Sequence, residues 1–206
     1  MFAKSSPTDG RRSRLSARDR RASIIEAATD VFAEFGYYRS TMGEVAHRVG
    51  VTEPVVFQNF GTKMALYTAV VESSASRMCA LIDTLAEQAT SAEELLSAVV
   101  GPARVDELHA PGAVGVIFAD AMALQTEPAV REVLRHSIRK IASVLAAKVD
   151  DGKNAGQLRA DVDAEAAAWL VLSFLAGHGF RSAVMPDRKR LETKLSEYTL
   201  AALLDR

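Results

Sequence analysis

The chain has 206 residues, of which 49% are apolar and 25% are charged, and its net charge is −1. This composition excludes a disordered chain, because it supplies enough apolar side chains for a sizeable core. The single cysteine excludes an internal disulfide and fits a reducing compartment.

The N-terminal part of the chain is more basic than the rest. Residues 1–63 hold ten Lys and Arg against seven acidic residues, whereas residues 64–206 hold fifteen against nineteen. We interpret residues 1–15 as a disordered basic arm. Such an arm suits contact with phosphates, although a tail that only keeps the chain soluble would have the same composition.

The first predicted helix begins near residue 16. Ser16 with Asp19 makes a capped start, and Gly36 is the expected end. Apolar residues recur between them at helical spacing, which predicts that this helix packs onto its neighbours. The stripe comprises Ile24, Ala28, Val31, Phe32 and Phe35.

Residues 40–63 predict two short helices joined by a tight turn. Thr41 and Glu44 have the spacing of a capping box, and Gly50 suits the left-handed end of the first helix. Thr52 is placed to cap the second helix, where Pro54 fits the first turn. Helix, turn and helix is the geometry that places a second helix in the DNA major groove.

This segment resembles the DNA-binding domain of TetR-type (tetracycline-repressor-like) transcriptional regulators. The resemblance extends over RRASIIEAATDVFAEFGYYRST (20–41) and GVTEPVVFQNFGTKMALYTAV (50–70). It implies an all-α fold, with a three-helix helix-turn-helix DNA-binding domain over 16–62 and a larger helical ligand-binding and dimerisation domain over 63–206. Two short helices around a glycine also occur in ordinary helical proteins, but here many positions agree in order and spacing.

Family members contact DNA from the starts of these helices and from the recognition helix. Carried over by position, the contacts fall on Thr41, Thr52, Glu53, Pro54, Val55, Phe57, Gln58, Asn59 and Lys63. The chemistry agrees, because Gln58 can pair with adenine and Lys63 can meet a phosphate. Three positions depart from the family pattern: Pro54 replaces a common Gly, Phe57 a common Tyr and Asn59 a frequent His.

The remaining chain predicts long helices. One runs from Thr62 to about Ala89, and others fall near 92–108, 113–126, 128–151, 163–184 and 187–205. The resemblance implies a largely apolar small-molecule effector within this part, although side chains at such spacing are usually ordinary core. The candidate lining residues are Met78, Ile82, Phe118, Met122, Trp169 and Phe174, and Asp120 is either a polar anchor for the ligand or solvent-facing. We predict no cofactor and no metal, because His109, His136 and His178 lack ligand spacing.

The last two predicted helices, about 163–205, are apolar beyond one stripe. They are either deeply buried within the chain or, as the family resemblance implies, the interface of a homodimer. The apolar stripe of the last helix comprises Leu191, Leu195, Tyr198 and Ala202, widened by Leu200, Leu203 and Leu204. A two-fold dimer would read a near-palindromic operator in double-stranded DNA.

We therefore expect a homodimeric transcriptional repressor that a small molecule releases from its operator. The alternative is a ligand-binding or interaction module with degenerate DNA binding. An enzyme is not expected, because no paired carboxylates, nucleophile–base set or phosphate loop stands out. The apolar runs at 113–124 and 166–177 are shorter than a membrane span, and no signal peptide is visible, so a cytoplasmic protein is expected.

Overall fold

A computed structural model describes residues 16–185 and 187–204 of the chain. The predicted basic arm, residues 1–15, lies outside the described residues. Within them the fold is all-α, as predicted. The helices are α1 (Ala17–Arg39), α2 (Met42–Val49), α3 (Glu53–Phe60), α4 (Lys63–Gln88), α5 (Ala92–Val100), α6 (Pro102–Leu108), α7 (Val114–Ala123), α8 (Pro128–Asn154), α9 (Ala164–Ala176), α10 (His178–Val184) and α11 (Arg188–Ala201).

Helix α1 begins as predicted and ends differently. The Asp19 N–H donates to the Ser16 hydroxyl over 3.0 Å, which caps the first turn. Gly36 does not end the helix but kinks it, with φ 72° and ψ 169°, and one more turn continues to Arg39. Only glycine adopts this conformation at low cost. The kink therefore redirects the chain into α2.

Two apolar cores share the long helix α4. The N-terminal core joins Phe32 of α1, Val45 of α2 and Val56 of α3 to residues 66–71 of α4, and it also takes in residues of α7 and α8. The second core begins at Ala75 of α4 and extends to the C-terminal helices. Because one continuous helix contributes to both, a displacement of α4 alters the packing of both cores.

Two predicted helices are each divided by a glycine. The helix expected over 92–108 breaks at Gly101, where Pro102 lacks an N–H and starts α6. The helix expected over 163–184 breaks at Gly177. A side chain there would bring its Cβ within 2.7 Å of Arg181 Nη1, so the small residue admits this buried guanidinium.

Among the residues that the structure describes, one helical stretch, Ala164–Val184, is long and apolar enough to cross a membrane by length and composition. Of its most apolar 18-residue window, 39% is buried inside the protein. The apolar run predicted from the sequence, 166–177, covers only part of this stretch. Core helices of soluble proteins meet the same criterion, and this stretch is interrupted between α9 and α10.

Candidate nucleic-acid interface and internal cavity

The predicted helix-turn-helix is present. The Thr41 side chain accepts from the Glu44 N–H over 3.1 Å, and the Thr41 N–H donates to the Glu44 carboxylate over 2.6 Å. Gly50 ends α2 with φ 75° and ψ 34°, which is the predicted left-handed conformation. Thr52 occupies the N-cap of α3 but makes no side-chain capping bond. Its hydroxyl is therefore not used by the helix it precedes.

Most of the predicted DNA-contacting residues face outward. The exposed ones are Thr41, Thr52, Glu53, Pro54, Phe57 and Gln58, and the half-buried ones are Val55, Asn59 and Lys63. On the opposite face of α3, Val56 and Phe60 are buried in the N-terminal core. The recognition helix thus has an anchored side and a free side, and Gln58 is on the free side.

Besides Thr41, two of the predicted polar contacts are engaged within the protein. The Lys63 ammonium donates to the Ser40 carbonyl over 2.5 Å and to the Tyr38 carbonyl over 3.4 Å. Burial lowers the pKa of Lys63, and the nearby Glu44 partly opposes that effect. The Asn59 amide donates to the Val55 carbonyl over 2.7 Å, within its own helix. Lys63 therefore joins the start of α4 to the segment between α1 and α2.

Arg21 is a residue that the sequence analysis did not single out. Its guanidinium donates to the Asn59 carbonyl over 2.6 Å and lies 4.0 Å from the centre of the Phe60 ring. A cation at the carbonyl end of a helix is stabilising. Arg21 thus ties α1 to the end of α3, and no sequence pattern links positions 38 residues apart. The one sequence signal that includes Arg21 is the excess of basic residues over 1–21.

A cavity of about 490 Å³ lies among α4, α6, α7, α8 and α9. Five of the six predicted lining residues border it, namely Met78, Ile82, Phe118, Met122 and Trp169. Phe174 does not, because its ring packs in the core under the Arg181 guanidinium at 4.5 Å. Cys79 is buried beside this region, and burial raises the pKa of its thiol, which fits a packing role.

Asp120 has neither of the two roles expected from sequence. Its carboxylate accepts from the Tyr67 hydroxyl over 2.8 Å and from the Tyr37 N–H over 3.0 Å. Burial, followed by the bond to Asp120, raises the pKa of Tyr67 well above its usual value. A Cβ at Gly36 would lie 3.2 Å from the second carboxylate oxygen. Asp120 therefore joins α7 to the kinked end of α1 and to α4.

A cluster of charged side chains ties α11 to α6 and α10. Ligand atoms of Asp106, His178 and Glu192 lie within 4.8 Å of one another, which is close enough for a metal ion. Arg181 already pairs with Glu192 over 3.2 Å, and Arg188 reaches Asp106 over 2.8 Å and Glu192 over 3.3 Å. Two guanidinium groups balance the two carboxylates here. The cluster is therefore suited to hold helices together rather than to attract a cation.

Large apolar side chains are exposed on the C-terminal helices. They are Trp169 and Leu170 of α9, Phe180 and Val184 of α10, and Tyr198 of α11. Phe180 is 73% exposed and Tyr198 is 68% exposed. Leu203 and Leu204, predicted to widen the stripe of the last helix, are instead buried within the chain. The exposed apolar surface therefore includes α10, which the sequence did not distinguish from α9.

Both parts of the chain match known protein families. Residues 24–70 match the tetR family of bacterial regulatory proteins, and residues 118–197 match the tetracyclin repressor-like C-terminal domain. The regulator YhgD of Bacillus subtilis is 27% identical over 191 residues, which cover 91% of this chain and 93% of YhgD.

Two mycobacterial relatives match over shorter segments. The activator FasR of Mycolicibacterium smegmatis is 33% identical over 96 residues, 46% of this chain and 44% of FasR. The repressor Rv3405c of Mycobacterium tuberculosis is 35% identical over 75 residues, 36% of this chain and 40% of that protein. These alignments therefore span less than half of either relative.

A solved structure shows the same fold over most of the chain. A transcriptional regulator from Saccharomonospora viridis in complex with choline superposes with a TM-score of 0.74 at 17% identity, covering 92% of this chain and 100% of that one. Helix-turn-helix geometry, both domain matches and this likeness agree. The chain belongs to the TetR family of helix-turn-helix transcriptional regulators.

Proposed function

We propose that the protein is a cytoplasmic, homodimeric repressor that leaves its operator when a small molecule enters the cavity. The observation that carries this proposal is the position of α7. Phe118 and Met122 of this helix line the cavity, while Asp120 between them bonds to Tyr37 and Tyr67. One short helix therefore touches both the space for an effector and the helices that position the DNA-reading surface.

The coupling would run through the kink of α1. An effector that displaces α7 moves the Asp120 carboxylate away from the Tyr37 N–H, which follows directly on Gly36. The same segment leads to the Ser40 carbonyl that Lys63 holds at the start of α4. A ligand shifts such an equilibrium only by its difference in affinity for the two states, typically ~1–3 kcal/mol, and DNA must weaken ligand binding by the same factor.

The dimer would form through α9, α10 and α11. Exposed Leu170, Phe180 and Tyr198 lose water when a second copy covers them, which favours association. A two-fold axis would place two copies of α3 in major grooves one helical turn apart, about 34–36 Å, and so require a near-palindromic operator.

The proposal includes repression: the dimer would block transcription while it is bound to the operator and would cease to do so when the ligand releases it. The relatives include both an activator and a repressor. The alternative is a binding module with degenerate DNA recognition. Phe57 favours this alternative, because its exposed ring offers no hydroxyl to a phosphate. Sequence-specific DNA binding is expected of the repressor and not of the module with degenerate DNA recognition, so measuring it distinguishes them.

The reciprocity of coupling gives a test that needs no known effector. An operator would first be selected from random duplexes by binding to the full-length protein. Trp169 is the sole tryptophan of the chain and lines the cavity, so its fluorescence reports on the cavity. Adding operator should change this emission in the wild type, and the change should be lost in Tyr67→Phe, which removes the hydroxyl that binds Asp120.

Thr84→Ala serves as the control, because this exposed hydroxyl of α4 bonds only to the backbone of its own helix at Ala80. It should respond to operator as the wild type does. An emission change that persists undiminished in Tyr67→Phe would contradict coupling through Asp120. Absence of any selected operator would instead contradict sequence-specific DNA binding.

A further inference from the structure

The cavity has a polar side that carries no acidic residue. Among the described residues that line it, the side chains able to carry charge are Arg104 and His109. A cationic ligand buried here would lack a carboxylate to offset its loss of hydration. The lining therefore selects against cations and favours a group that accepts hydrogen bonds.

Arg104 has an unused donor at this place. Its Nη1 bonds to the Glu107 carboxylate over 2.5 Å, whereas its Nε is buried without a hydrogen-bond partner. A buried donor without a partner is unfavourable, and an oxygen supplied by a ligand would satisfy it. The planar guanidinium fork matches the geometry of a carboxylate better than that of a single oxygen.

His109 lies beside Arg104 on the polar side. Its Nδ1 is 2.8 Å from the Val105 carbonyl, so Nδ1 carries the proton and donates to that oxygen, while Nε2 of the neutral ring can only accept. The donor that a carboxylate needs is therefore supplied by Arg104. A Cβ at Gly115 would lie 3.1 Å from this Nε2. Gly115 borders the cavity, and its bare backbone packs closely against the Leu108 carbonyl and this ring, where a larger residue would not fit.

We propose that the effector is an apolar molecule with a single carboxylate, bound through its oxygens by Arg104 while its hydrocarbon part fills the cavity. This inference rests on the proposed function, in which the cavity is the effector site. A volume of about 490 Å³ lies in the range of small-molecule pockets, ~300–1,000 Å³. The other lining side chains are almost all apolar, which suits a hydrocarbon.

A second depression, of about 560 Å³, does not compete as the effector site. It lies where α4 and α8 end, and Asp83, Glu87 and Asp151 border it together with Lys148. Lys148 already pairs with Asp83 over 2.9 Å. These acidic side chains repel a carboxylate, and little of the lining would hold a hydrocarbon.

Three probes with the same chain and different head groups test the proposal. Octanoate, octan-1-ol and octylammonium would be titrated into the full-length protein without DNA, with the fluorescence of Trp169 as the readout. Octanoate should bind about tenfold more tightly than either of the others or better, because a charge-assisted hydrogen bond outweighs a neutral one. Arg104→Gln should weaken octanoate about 10- to 100-fold and leave octan-1-ol unchanged.

A second variant tests the proposal without changing Arg104, in case Arg104→Gln disturbs the fold. Glu107→Gln removes the intramolecular carboxylate that competes for this guanidinium, and Glu107 is an exposed residue, so the fold should hold. Octanoate should then bind more tightly than to the wild type. Arg131→Gln, an exposed site on α8, is the matched control and should change nothing.

The order of affinities decides the outcome. The proposal would be overturned if octylammonium or octan-1-ol bound as tightly as octanoate. It would also be overturned if the preference for octanoate survived in Arg104→Gln, or if octanoate did not bind at all. Binding of DNA by the same preparations is measured separately. A protein that binds an operator but not octanoate fails this inference alone, and one that binds octanoate but no operator fails the proposed function alone.

Discussion

Single side chains divide into those that can read DNA and those that hold the reading surface. Gln58 is exposed on the outer face of α3, whereas Lys63 and Asn59 bond to backbone carbonyls of the protein. The sequence predicted all three as DNA contacts, because their residue types and positions match the family. It could not show which donors are already used, since those bonds depend on how the segment between α1 and α2 folds back.

Gln58→Ala should relax base preference at one position in each half-site. Loss of a bidentate pair to adenine costs ~1–3 kcal/mol of discrimination against the wrong base. The affinity for non-specific DNA, which depends on phosphate contacts, should change little. Competition between the selected operator and single-base variants, measured by fluorescence anisotropy, checks this. Equal losses on all sequences would assign Gln58 to the DNA backbone instead.

Lys63→Ala should lower stability as well as DNA affinity. The ammonium holds the Ser40 and Tyr38 carbonyls and lies 4.6 Å from the centre of the Tyr37 ring, so its removal frees the end of α1. We expect a loss of ~1.5–3 kcal/mol in the free energy of unfolding, the range for hydrogen bonds to charged groups. Urea unfolding measures it, with the exposed Lys189→Ala as control. If stability were unchanged while DNA affinity fell, Lys63 would act as a phosphate contact and not as a link within the protein.

His109 should make stability depend on pH. Burial lowers the pKa of this imidazole below its usual 6.5, although the bond to the Val105 carbonyl opposes the shift. The unfolded chain therefore binds a proton that the native protein does not, and stability present above pH 6.5 is lost as the pH falls below it. His109→Gln should flatten this decline in urea unfolding measured across that range. A decline of the same slope in the variant would assign it to other groups.

Helices and their caps could largely be predicted from local sequence. The capping box of α2, its left-handed Gly50 and the start of α3 depend on neighbouring residues only, and they appear where the sequence places them. The kink at Gly36 could not be predicted in this way. It depends on Asp120, which lies 83 residues further along the chain than Tyr37. Likewise, the room that Gly177 leaves between α9 and α10 is used by the buried Arg181 guanidinium, whose Nη1 would lie 2.7 Å from a Cβ there.

Arg21→Ala should weaken DNA binding without a direct DNA contact. Its guanidinium fixes the C-terminal end of α3 through the Asn59 carbonyl and the Phe60 ring. A recognition helix with a free end loses orientation, so the affinity for specific and non-specific DNA should fall by different factors. Arg21→Lys keeps the charge but not the fork. The DNA affinity of both variants would be measured as a function of salt concentration. If lysine fully restored the affinity, Arg21 would act as a phosphate contact and not by positioning α3.

The whole molecule combines a DNA-reading end, a cavity and an exposed apolar face. The sequence predicted each of these regions, and the structure places five of six expected residues at the cavity. What the sequence could not supply is the connection between regions, because Arg21 with Asn59 and Tyr67 with Asp120 are paired by tertiary packing. The Tyr67–Asp120 pair carries the proposed regulation, and the Arg21–Asn59 pair positions the recognition helix.

The exposed apolar face should make the protein a dimer. Wild-type protein should sediment at twice the chain mass of 22.2 kDa. Phe180→Glu places a charge where a second copy would bury an apolar ring, so it should shift the mass toward that of one chain. Tyr38→Glu, at a residue of α1 that is 78% exposed, is the control and should stay dimeric. A Phe180→Glu variant that remains dimeric would place the interface elsewhere.

Specific DNA binding by the full-length protein tests the central claim most directly. Fluorescence anisotropy would compare the selected operator with a scrambled duplex of the same length and composition, near physiological ionic strength. A sequence-specific dimeric regulator should bind the operator at least about a thousandfold more tightly, as typical of specific protein–DNA complexes. Equal and weak binding to both duplexes would contradict a regulator that reads sequence through α3.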